Sequence, residues 1–165
     1  MIVSDAESPE FPLEFSTTTC GILRRKMART TWTPPNREPV VLVTCNYRQI
    51  TPDSKIAAIF DPDTSREPNP ERWQEIFDRR YRHCAERWSE LFAAQKSPIK
   101  ERVIPWLPKD ASFEDFLESL NLNCVRISED ESVLLGFGNS PMLHHHDFAV
   151  ILDANDLIQD VLIEG

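Results

Sequence analysis

The sequence predicts an α+β fold: an antiparallel β-sheet of about five to seven strands packed against one long and one short helix. Three observations predict it. Residues 40–45 form a continuous β-branched run, and residues 71–95 repeat apolar side chains at helical spacing. From Cys124 onward the apolar period changes to two. Strands, helices and strands follow one another in blocks, without the alternation that a parallel α/β sheet requires.

Residues 1–19 are polar, acidic and proline-containing and read as an N-terminal arm, leaving 20–165 as a single α+β domain. Cys20-Gly-Ile-Leu opens a short strand, followed by the basic cluster Arg24, Arg25, Lys26 and Arg29. Val40–Cys45, bounded by Pro39 and Asn46, reads as a strand buried on both faces and therefore central in the sheet. Lys55–Phe60 reads as another short strand.

Asn69-Pro70-Glu71 is a helix start: a capping side chain, a proline whose missing N–H is not needed there, and an acid in the first turn. Trp73, Ile76, Phe77, Tyr81, Cys84, Trp88, Leu91 and Phe92 then trace one apolar stripe. This predicts one helix from about Glu71 to Gln95, with Trp88 buried. Pro98, Pro105 and Pro108 read as a link. Ser112-Phe-Glu-Asp115 is a capping box for a short helix. Two hairpins follow. One pairs Cys124–Ser128 with Val133–Phe137 across Glu129-Asp-Glu131; the other pairs Asp147–Asp153 with Leu157–Ile163 across Ala154-Asn-Asp156. Gly136-Phe-Gly-Asn-Ser-Pro141 reads as a turn.

The formal net charge of −9 is unevenly placed. Up to Lys109 there are 17 Lys and Arg against 15 Asp and Glu, a net of +2; from Asp110 there is only Arg126 against 12 acids, a net of −11. That sign disfavours nucleic acid and favours a basic protein partner, whose encounter a one-signed surface accelerates. Glu129, Asp130 and Glu131 in one turn, with Asp153, Asp156 and Asp160 around the other, are the candidate partner-binding residues, read as exposed turn carboxylates. The Arg24 cluster and Arg79-Arg80-Arg82 are candidate internal partners of this acidic third.

Four scattered cysteines without a C-x-x-C pair, and a start lacking a basic and apolar leader, suggest reduced, mostly buried thiols in a cytoplasmic protein. No apolar stretch approaches a membrane span. His144-His-His146 is the one metal candidate: in an extended segment His144 and His146 share a face and could hold a divalent transition metal, with His83 or a carboxylate completing the site. The simpler reading has these histidines bonding loop carbonyls. Hydrolase, zinc-protease and phosphate-loop motifs are absent from the sequence. Cys84 beside His83 points about 100° away from it on a helix, so the two do not make a nucleophile and base.

Cys20-Gly-Ile-Leu, Trp32, the tryptophan-bearing helix, Trp106, Ser112-Phe-Glu-Asp-Phe-Leu, Val125-Arg-Ile, Met142-Leu-His-His-His146 and the closing Ile158–Gly165 resemble a bacterial domain of unknown function, number twenty-two sixty-two, over residues 20–165. His146 matches that pattern's histidine, while His145 stands where it has glycine. The resemblance implies a fold, and a kinship with small acidic domains that accompany toxins as immunity proteins. The expected function is a non-enzymatic binding module such as an immunity protein or inhibitor. A metal-dependent enzyme using His144 and His146, and a structural subunit that oligomerises through a sheet edge, are the alternatives.

Overall fold

The structure, a computed structural model, describes residues 10–49 and 55–165. Its strands are β1 (Glu14–Thr17), β2 (Gly21–Trp32), β3 (Val40–Gln49), β4 (Ala57–Asp61), β5 (Cys124–Ser128), β6 (Val133–Ser140), β7 (His146–Leu152) and β8 (Ile158–Glu164). They form one sheet in the spatial order of the sequence, and every pairing is antiparallel except β4 with β5. The helices α1 (Pro70–Arg80), α2 (Trp88–Ala94), α3 (Lys96–Val103) and α4 (Phe113–Ser119) lie between β4 and β5. They cover one face of the sheet. The α+β class and the largely antiparallel sheet are as expected, but the strands number eight among the described residues. None of the described helices is long and apolar enough to cross a membrane.

β1 lies within the stretch read as an arm. Its Phe15 packs edge-on against Tyr47, Phe60 and Trp73, so this short strand belongs to the core. β2 runs far past the short strand expected at residues 20–23. Its distal half and that of β3 form a two-stranded ribbon, because among the described residues β4 pairs with β3 only at Tyr47 and Arg48. Within Val40–Cys45 only Cys45 is buried, and Val41 is exposed. A continuous apolar run here marks a strand that leaves the core.

The long helix is broken. Asn69 caps α1 as expected, its Oδ1 accepting from the Arg72 N–H at 3.1 Å. After Arg80 the chain widens into a π-turn at Tyr81–Ala85, where the Glu86 N–H reaches back to the Tyr81 carbonyl at 3.2 Å. One extra residue per turn rotates everything beyond it by about 100°. Trp88 is therefore only half-buried, packing edge-on against Phe92 and Phe137. The fully buried tryptophan is Trp73. Pro98, read as part of a link, is third in α3, where its absent N–H would have had no helical partner. The capping box at Ser112 and Asp115 is present, and α4 buries Phe113 and Phe116. Gly136–Ser140 belongs to β6, with a register shift between Gly136 and Gly138 instead of a turn.

Candidate functional site

Both acidic turns sit at the end of the sheet that α1 crosses, and α1 holds them. Arg80 is 2% exposed. Its guanidinium donates to the Glu131 carbonyl at 2.9 Å, to the Asp153 carbonyl at 3.0 Å and to Asp156 Oδ1. Arg79 pairs with the Glu131 carboxylate. Glu129 is buried: its carboxylate accepts from Trp73 Nε1 at 3.1 Å and from the Asp63 N–H. On the opposite side Asp78 accepts from the N–H groups of Thr18 and Thr19 and from the Thr19 hydroxyl, fastening the β1–β2 turn to the same helix.

This corrects the reading of six exposed turn carboxylates. Glu129 is inside the protein, and Glu131 and Asp156 are engaged by arginines. Asp130 accepts from the Ser132 N–H and hydroxyl, and Asp153 accepts from the N–H groups of Asn155 and Leu157, so these two close their own turns. Asp130 and Asp160 are exposed, and Asp153 is half-buried. Arg79 and Arg80 are internal partners of the acidic third, as expected, whereas Arg82 donates to the Thr18 hydroxyl. Arg24 instead pairs with Glu14, and Arg25 donates to the Phe11 carbonyl.

Asp156 also accepts from the Cys84 thiol at 3.4 Å and faces His83 Nε2 at 2.8 Å. The carboxylate lies between thiol and imidazole, so the histidine cannot take the cysteine's proton directly. Burial pushes the Cys84 thiol up to about 12, which keeps it protonated. Burial alone would raise the Asp156 and Asp78 pKa values. For Asp156 the Arg80 guanidinium outweighs it, and for Asp78 the Thr18 and Thr19 donors do, so both fall below the ordinary 3.8. A depressed carboxylate pKa contributes stability that is complete above the unfolded value and lost as pH falls through the folded one. Stability should thus decline with acidification from about pH 4 downward. Asp78→Asn and Asp156→Asn should each flatten that decline in urea titrations run across pH. Parallel curves for variants and parent would refute this assignment.

The histidine segment is not extended. His144 and His145 adopt left-handed backbone (φ 54° and 63°), and only His146 enters a strand. His146 Nδ1 lies 2.9 Å from the Leu143 carbonyl, and its ring packs 4.7 Å from that of Trp106. A Cβ at position 165 would overlap the same imidazole, so Gly165 allows the chain to close over it. His145 Nδ1 contacts Asn139 Oδ1 at 3.1 Å. Among the described residues no group of three or more His, Cys, Asp or Glu is placed to hold a metal ion.

A polar cleft of about 460 Å³ opens beyond the ends of β4 and β5, lined by Asp61, Asp63, Arg66, Arg72, Glu129 and Asp130 among others. Asp61 there is held by Arg126, and Glu129 by Trp73. Comparisons with protein-family models, curated proteins and solved structures found no match.

The remaining broad surface is the helix-free face of the sheet, where Arg24 pairs with Glu14 and Arg126 with Asp61. Its side chains follow from register: with Phe148, Val150, Leu152 and Val161 buried toward the helices, the alternate residues face away. One row across all eight strands reads Glu14, Arg24, Arg48, Ile59, Arg126, Leu134, Ile151, Asp160. Beside it at the β8 end lie Ala149 and Leu162, then the directly opposed Asp147 and Glu164. Leu134, Ala149, Ile151 and Leu162 are half-buried, and Asp147, Asp160 and Glu164 are exposed. Sequence reading missed Asp147 and Glu164 as surface acids because it sought charge in turns. Counting alternation along β7 and β8 finds them.

Proposed function

We propose that this protein is a non-enzymatic binding module, an inhibitor of the immunity-protein type, that captures a basic protein partner on the acidic end of its helix-free sheet face. The observation that carries the reading is the arrangement at β6–β8: a half-buried apolar centre of Leu134, Ala149, Ile151 and Leu162 edged by Asp147, Asp160 and Glu164. Apolar centres with charged rims are the anatomy of protein interfaces. Two like charges set opposite each other across a strand pair are unfavourable without a partner, and a basic partner relieves that repulsion. The kinship suggested by the sequence resemblance agrees with this reading.

Asp130 and Asp153 add long-range field on the adjoining end of the sheet, whereas Glu129, Glu131 and Asp156 are left to hold the fold. The test is association kinetics with the protein encoded by the adjacent reading frame. At low salt the on-rate should be fast, and it should fall as salt approaches about 0.15 M, where charges are screened beyond about 8 Å. Asp147→Asn, Asp160→Asn and Glu164→Gln together should slow association at least about tenfold without altering the thermal melt. Binding with an on-rate indifferent to both salt and the triple change would remove this surface from the account, and no binding at all would remove the partner.

A further inference from the structure

The opposite end of the same sheet carries the opposite charge. Residues 21–49, which make β2 and β3, hold six Lys and Arg against one acid, Glu38, in a chain of net −9. Arg24, Lys26 and Arg48 lie on the helix-free face by strand alternation, and Arg24 and Arg48 are direct cross-strand neighbours. By the same alternation two of the most exposed large apolar side chains among the described residues, Ile22 and Trp32, share that face with them, Trp32 being 56% exposed. This end therefore has an acceptor's charge and the apolar area of an interface.

The acidic end of the same chain cannot neutralise it. Strands follow one another in order, so β3 and β8 are five spacings apart. At about 4.8 Å each, that is about 24 Å, well beyond the screening length of about 8 Å at physiological salt. The acidic end also presents an exposed apolar side chain, Leu157 at 57%. β8 is the last strand of the sheet, so its outer edge meets no further strand among the described residues. The two ends match each other in charge and apolar character, and only a second molecule can bring them together.

We infer that the chain self-associates head to tail, the β7–β8 end of one copy (Asp147, Asp160, Glu164) docking on the β2–β3 end of the next (Arg24, Lys26, Arg48). The two surfaces differ, so the contact is heterologous. It leaves a free basic end and a free acidic end on every assembly, and growth continues beyond a dimer unless a ring closes. A partner captured on the acidic end would compete with the next copy, so this inference shares the surface of the proposed function but does not require that function.

Sedimentation equilibrium of the full chain at low salt should give a mass that rises with concentration past that of a dimer. The association constant should weaken at least about tenfold on raising salt from about 0.01 to about 0.15 M. Arg24→Glu, Lys26→Glu and Arg48→Glu together make both ends acidic; Asp147→Lys, Asp160→Lys and Glu164→Lys together make both basic. Each triple variant alone should be monomeric, and mixing the two should restore association, which a merely misfolded variant could not do. A wild-type chain that stays monomeric at low salt overturns the inference, as does association that neither triple variant weakens or a mixture that stays apart. Monomeric protein that binds a short DNA duplex, and loses that binding in the Arg24, Lys26 and Arg48 variant, overturns it in favour of nucleic acid. Failure to bind the neighbouring gene product leaves self-association untouched, so the two readings fail separately.

Discussion

Replacing Arg80 by Met should destabilise the protein by about 3–5 kcal/mol, the range for leaving a buried charge without its partner. Methionine fills much of the same space and removes only the donors. What remains is the Asp156 carboxylate, 19% exposed, and the Glu131 and Asp153 carbonyls, all without the guanidinium. Urea denaturation should show the loss, and amide exchange should quicken in both acidic turns together. A loss under about 1 kcal/mol, within the scatter of surface changes, would mean that water replaces the arginine at no great cost.

Trp73→Ala should cost about 3–5 kcal/mol, as large aromatic truncations in close-packed cores do. Trp73 is fully buried and lies within 6.0 Å, centroid to centroid, of Phe11, Phe15, Tyr47 and Phe60. Its indole N–H also donates to buried Glu129. Trp73→Phe keeps much of the packing but leaves that carboxylate short of a donor, at about 1–3 kcal/mol. Pairing Trp73→Phe with Glu129→Gln should recover part of the loss. Strict additivity of the two changes would show that the indole and carboxylate are not coupled.

Where local chemistry decides structure, the sequence was legible. Asn69-Pro70 and Ser112-Phe-Glu-Asp115 start helices because their side chains satisfy N–H groups within three residues. The two C-terminal hairpins follow from period-two burial on either side of short polar turns. What escaped was set by distant contacts. The π-turn is invisible in the stripe because Tyr81, Cys84 and Ala85 still pack against the core or within it. The reach of β2 escaped because both faces of the ribbon are wet and its residues do not alternate. Glu129 sits in an acidic turn that looks solvated, and only the arrival of Trp73 from α1 makes it a core residue. The turns were identified correctly, but the roles of their carboxylates depend on a helix some fifty residues away, at the |i−j| of 51 separating Arg80 from Glu131.

The order of the strands bears on how the chain reaches this state. Seven neighbouring pairs make the sheet, and six of them are antiparallel partners consecutive in sequence, so β1–β4 and β5–β8 can each zip as a local meander. The remaining pair, β4 with β5, joins only after the whole helical segment has been looped out and laid on one face. Loop closure of that length is the slow entropic step in folding. Arg80 and Trp73 are positioned to act at that moment, since both sit on α1 and both seize turns of the second meander. Their contacts therefore belong to the barrier as well as to the final state. Truncating either should retard folding, where a change in the outlying ribbon would chiefly hasten unfolding.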